Sequence, residues 1–164
     1  MIISNILIFV IAIAAGAEPP PGRLFIFNYA GITIEFPQDW QLDYTDEEPD
    51  ILYANSPGEK MIVMVAVQPF ENMDTLYSNL QYEFLQDYSA FKPMKKESKK
   101  INGLAALVGW SKLTFEDGYS DILTFAIVRI PGNKVLVLTT LNDQEASHEY
   151  AAEIKKIIYS IKPL

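Results

Sequence analysis

Apolar and polar positions alternate through much of this chain. Ile32, Ile34 and Phe36 are separated by Thr33 and Glu35, the two-residue period of a strand with one buried face, and Pro37 ends it. The run 24–29 before it is also strand-like, with Ala30-Gly31 as the connecting turn, and Trp40, Leu42 and Tyr44 resume the alternation. Strands at 51–54 and 61–67 flank Ser56-Pro57-Gly58-Glu59, where proline then glycine suits the central positions of a type II turn. Met61 to Val67 is apolar at every position, which predicts a strand buried on both faces. Asn102-Gly103, Asp117-Gly118 and Pro131-Gly132 then delimit strands over 94–101, 104–115, 119–130 and 134–141, an antiparallel meander.

Two segments switch to the helical period. Over 74–90, Met73, Leu76, Tyr77, Leu80, Phe84 and Tyr88 fall three and four apart on one stripe. Over 143–161 the stripe is Tyr150, Ile154, Ile157, Ile158 and Ile161; Asn142 with Glu145 reads as a capping box, and Pro163 stops the helix. Two amphipathic helices covering an antiparallel sheet of about six strands make an α+β domain, running over 24–164 without an internal linker or repeat.

The N-terminus reads differently. Ile6 to Ala15 is an unbroken apolar run of ten residues, short of the roughly 20 needed to span a bilayer. It leads into Ala15-Gly16-Ala17, a small-x-small cleavage signature, and then a proline-rich segment over 18–23. Residues 1–17 are therefore expected to be a signal peptide, retained as an anchor if not cleaved. The remaining chain is expected to be secreted or periplasmic, with no transmembrane span.

Composition narrows the function classes. The chain has 164 residues, 13 basic and 21 acidic side chains, a formal charge of −8 and no cysteine. So acidic a chain lacks the general basic face that nucleic acids require. Disulfides, thiolate metal sites and a cysteine nucleophile are excluded outright. No glycine-rich phosphate cradle is present, and no cofactor is expected. His148, the single histidine, follows Ser147 directly; adjacent helical residues diverge by about 100°, so the two cannot form a nucleophile–base pair.

The order of elements resembles a known superfamily. Gly31, Phe36, Pro37 and Trp40 form an opening Gly-x-x-x-x-Phe-Pro-x-x-Trp, and Ile157, Ser160 and Ile161 form a closing Ile-x-x-Ser-Ile. This is similar to the PsbP/DcrB/Mog-type superfamily over roughly 24–162. The resemblance implies an α/β/α sandwich and a non-catalytic accessory or binding role. The superfamily includes the extrinsic P subunit of the photosystem II oxygen-evolving complex, envelope proteins of the DcrB type and Ran-binding proteins. No functional residue carries over position by position.

Two charge clusters are the candidate sites. Lys92, Lys95, Lys96, Lys99 and Lys100 lie within nine positions. They either dock an acidic partner or envelope surface, or guard an exposed strand edge against aggregation. On a strand, Lys96 and Lys100 would share one face and Lys95 and Lys99 the other. Asp43, Asp46, Glu47, Glu48 and Asp50 put five acids in eight residues, either a weak cation loop or a solvated one. An EF-hand is excluded, because Ile51 and Pro57 occupy its glycine and glutamate positions. Trp110, Tyr119 and Phe125 on the meander are expected in the core, with the lining of a ligand pocket as the alternative. The leading expectation is an exported binding or accessory domain; the alternative is a small-ligand or cation-binding protein.

Overall fold

The computed structural model describes residues 22–45 and 47–164. The expected signal peptide over 1–17 and the first prolines after it lie outside the described residues. In chain order the elements are β1 (Arg23–Phe27), β2 (Ile32–Phe36), β3 (Gln41–Asp43), β4 (Ile51–Asn55), β5 (Ile62–Pro69), α1 (Met73–Phe84) and β6 (Ala90–Ile101). There follow β7 (Leu104–Thr114), β8 (Ser120–Ile130), β9 (Lys134–Asp143), α2 (Gln144–Glu149), α3 (Ala151–Ser160) and β10 (Lys162–Pro163). The strands form a seven-stranded antiparallel sheet, order β3-β4-β5-β9-β8-β7-β6, and a three-stranded sheet, order β1-β2-β10. The small sheet and α3 cover one face of the large sheet and α1 covers part of the other, giving an α/β/α sandwich.

The main core lies between the large sheet and the small sheet with α3. Val63, Val65, Leu136, Leu138, Ala126 and Val128 meet Phe27, Ile32, Ile34 and Phe36 across it. The expected isoleucine stripe is in place, with Ile154, Ile157, Ile158 and Ile161 all buried. The two ends of the domain also meet here. Ser160 Oγ accepts from the Glu35 backbone N–H at 2.8 Å, and the Trp40 indole N–H donates to Glu153 at 3.1 Å. The opening and closing motifs are thus one packed unit. A second core forms where Leu76 and Tyr77 of α1 meet Leu107, Phe125, Ile127 and Val135.

Three expected elements differ, each for a tertiary reason. The first helix stops at Phe84 instead of running to 90, because Ser89 bonds Thr114 (N–H to carbonyl, 2.9 Å) and the chain joins the sheet at Ala90. The second is broken at Tyr150 (φ −93°, ψ 3°), whose buried ring packs against Trp40. Its cap is Asp143, which accepts from the Ala146 N–H at 2.8 Å; Asn142 still pairs within β9, opposite Ile122. Met61 to Val67 is buried on one face only. Val63, Val65 and Val67 enter the main core, whereas Ile62 is exposed and Met64 and Ala66 half-buried, because α1 covers β8 and not β5.

One irregularity positions the outer edge of the large sheet. Between Pro93 and Lys95 the β6–β7 register slips by one residue, a β-bulge in which Met94 and Lys95 together oppose Trp110. The Lys95 carbonyl there presses onto Gly109: a Cβ at Gly109 would collide with that oxygen and lie 2.9 Å from Phe125 Cζ. Only glycine permits this approach. Gly109→Ala is expected to destabilise the fold by about 1–3 kcal/mol through overpacking. Urea unfolding should show a lower midpoint at unchanged slope; an unchanged midpoint would contradict the close approach.

Candidate functional site

The lysine segment is β6, the edge strand of the large sheet. Lysines on an edge discourage pairing with another chain, so part of their presence follows from position alone. The expected division between faces holds. Lys96 and Lys100 lie opposite Gly109 and Ala105, on the α1 side, and Lys95 and Lys99 lie opposite Trp110 and Ala106, on the α3 side. Lys92 pairs with Lys112, and the bulge brings it to the same side as Lys95. Four lysines therefore line one face of β6–β7, namely Lys92, Lys95, Lys99 and Lys112, with Glu97 as the single acid among them.

These lysines have unequal surroundings. Glu97 bridges Lys95 (2.7 Å) and Lys99 (2.8 Å), and Lys99 also donates to the Tyr159 hydroxyl at 2.8 Å. Lys95 Nζ sits 5.1 Å from the Trp110 ring centroid. On the opposite side Lys96 pairs with Asp74 at 3.2 Å and lies 4.6 Å from the Tyr77 ring centroid. Lys92 and Lys112 face each other directly across the ladder, and neither has an acidic partner among the described residues. Like charges directly opposite are destabilising, so this pair is not there to hold the sheet together.

Sequence reasoning missed two parts of this face. Trp110 is not in the core but 38% exposed, beside Met94 at 55%. Tyr119 is exposed as well; of the three meander aromatics only Phe125 is buried. Tyr119 lies in the turn between β7 and β8 with its ring against Phe115, and Trp110 lies on the strand next to the edge; no local pattern records either exposure. Lys112 lies outside the clustered segment and joins it only through strand pairing.

The acidic loop is arranged by its backbone. Thr45 Oγ1 accepts from the Glu48 N–H, and the Glu48 and Asp50 carbonyls accept from Ile51 and Val67. Asp43 is exposed at the end of β3, and Glu47, Glu48 and Asp50 follow in the loop, while Asp46 lies outside the described residues. Among the described residues no three carboxylate or histidine side chains gather as metal ligands. His148 is exposed on α2. An open cavity of about 530 Å³ lies at the far end of α1, lined by Asp87, Tyr88, Ser89, Phe115, Glu116 and Asp117. Its Tyr88 hydroxyl donates to Asp121 at 2.8 Å, and burial, then that bond, push the phenol above its ordinary range. Among the described residues no helix is long and apolar enough to cross a membrane.

Neither a family profile nor a characterised protein matches the sequence. Solved structures do match. Cyanobacterial PsbP (CyanoP) from Synechocystis superposes with a TM-score of 0.65 at 9% identity, covering 91% of this chain and 96% of that one. A Pseudomonas aeruginosa protein of unknown function, PA94, described as a putative regulator, gives 0.55 at 16% identity, with 88% and 98% covered. LpqN, involved in cell envelope biogenesis of Mycobacterium tuberculosis, gives 0.54 at 15% identity, with 89% and 88% covered. The chain has the PsbP-like fold to which its packing motifs point.

Hydrogen bonds from Lys95 and Lys99 hold the Glu97 carboxyl at about 2, below its ordinary 4.5. A depressed carboxyl contributes stability that is present above its ordinary pKa and lost as pH falls through the folded value. Titration of Glu97 by carboxyl NMR should therefore show its midpoint near about 2. A midpoint near 4.5 would mean that the lysines are not held by Glu97.

Proposed function

We propose that this chain is an exported accessory domain that works by contact, without chemistry of its own, docking an acidic partner or envelope surface through the α3-side face of β6 and β7. One observation carries this reading. An acidic chain with 21 carboxylates sets Lys92 opposite Lys112 and supplies neither with an acid among the described residues. The arrangement costs stability in the free protein and is repaid when a negative surface arrives. Export is supported by the apolar run Ile6 to Ala15 and the Ala15-Gly16-Ala17 signature. The described neighbour in cell envelope biogenesis is consistent with such a setting.

A second reading, small-ligand binding, is favoured by the cavity beside Tyr88, with its carboxylates and aromatic rings. The acidic loop around Asp43 and Glu48 remains the candidate for weak cation binding, and calcium calorimetry addresses it directly.

Affinity capture from the extracytoplasmic fraction separates docking from ligand binding. A partner retained by the native chain and lost with Lys92→Glu/Lys112→Glu is the expected result. A partner retained equally by both baits would remove the β6–β7 face from the reading.

A further inference from the structure

The docking reading leaves the chemistry of the partner open, and four features of the face narrow it. Its cations are all lysines; the two arginines of the chain, Arg23 and Arg129, lie on β1 and β8. A guanidinium fork matches the fixed geometry of a carboxylate or a phosphate, whereas an ammonium is a compact point charge, so a face of lysines alone requires no set geometry from its ligand and suits a laterally mobile array of negative groups. The lysines also surround two large exposed apolar side chains, Met94 and Trp110. Indole rings favour a membrane–water boundary, with the apolar ring in the layer and the N–H toward water. The cavities around Tyr88 and around Tyr29 include none of its residues, so the face lies apart from both. Finally, Lys92, Lys95, Lys99 and Lys112 outnumber Glu97, so the face is positive on a protein whose net charge is −8.

Resting on the docking reading, we infer that this face binds anionic lipid headgroups, with Lys92, Lys95 and Lys112 supplying charge and Met94 and Trp110 entering the interfacial layer. The mode is peripheral and electrostatic, so it weakens with salt. Each lysine held near an anionic surface contributes about fivefold in affinity. Glu97 limits the attraction by occupying Lys95 and Lys99, and its removal releases both.

Co-sedimentation of residues 18–164, which hold every element of the described fold, tests this with vesicles of phosphatidylglycerol and phosphatidylcholine in equal parts. Vesicles of phosphatidylcholine alone and soluble poly-glutamate serve as the comparison probes. Binding to the anionic vesicles only is expected. Lys92→Gln/Lys112→Gln should weaken it about 25-fold while leaving the unfolding midpoint unchanged or raised, since a repulsive pair is removed. Glu97→Gln should strengthen it about fivefold for one carboxylate removed, and Trp110→Ala should weaken it. Failure to bind the anionic vesicles, or binding indifferent to these substitutions, overturns the lipid inference. If poly-glutamate binds instead and Lys92→Gln/Lys112→Gln abolishes that binding, docking stands with an acidic polypeptide as partner. If neither probe binds and captured partners ignore the lysines, both readings fall.

Discussion

The contact of the Lys95 carbonyl with Gly109 sets the geometry of the outer edge of the sheet. Without the extra residue at Met94, strict alternation would send Lys92 and Lys95 to opposite faces. The bulge brings both to the α3 side, beside Lys112 and Trp110, and it requires a partner strand with no side chain at Gly109. Phe125 closes the space from the neighbouring strand, which leaves no room for the bulge to relax. The grouping of Lys92 with Lys95, beside Lys112 and the exposed indole, thus comes from one local departure from regular pairing.

The remainder of the sandwich is a platform for that edge. Main-core packing ties β2, α3 and Trp40 together over the same face of the large sheet, and both ends of the described chain are bound into it. The Leu164 N–H donates to the Gly31 carbonyl at 3.1 Å, and Asn102 Nδ2 donates to the Tyr159 and Ile161 carbonyls at 2.9 and 2.8 Å. The Asn102-Gly103 hairpin thereby locks the end of α3 to the β6–β7 turn. Lys99 continues this contact through Tyr159, so the lysine face borders directly on the main core.

Much of this was legible in the chain. Asn102-Gly103 adopts the two positive φ values that the tight hairpin needs, 47° and 86°. The isoleucine stripe of α3, and Phe36 and Trp40 of the opening motif, are buried as the pattern requires. The division of Lys96 from Lys95 and Lys99 followed from a period of two. What escaped is what depends on distant partners. The bulge needs Gly109 and Phe125, which only strand pairing brings to β6. Tyr88 leaves the helical stripe because Asp121 and the β7 ladder claim that segment. Trp110 is exposed because the helices do not extend over it, and Lys112 enters the site across a ladder. Periodicity reports which face a residue takes, not whether another element covers that face.

Tryptophan emission gives the most direct measurement of the central claim, that the Lys92–Lys112–Trp110 face is where this protein makes contact. The chain has two tryptophans; Trp40 is 2% exposed with its indole N–H bound to Glu153, so a change on binding reports Trp110. Anionic vesicles should shift the emission to the blue and protect it from acrylamide, and Lys92→Gln/Lys112→Gln should abolish both effects. Emission unchanged at saturating vesicle concentration, with a docked partner also leaving it unchanged, would contradict the account.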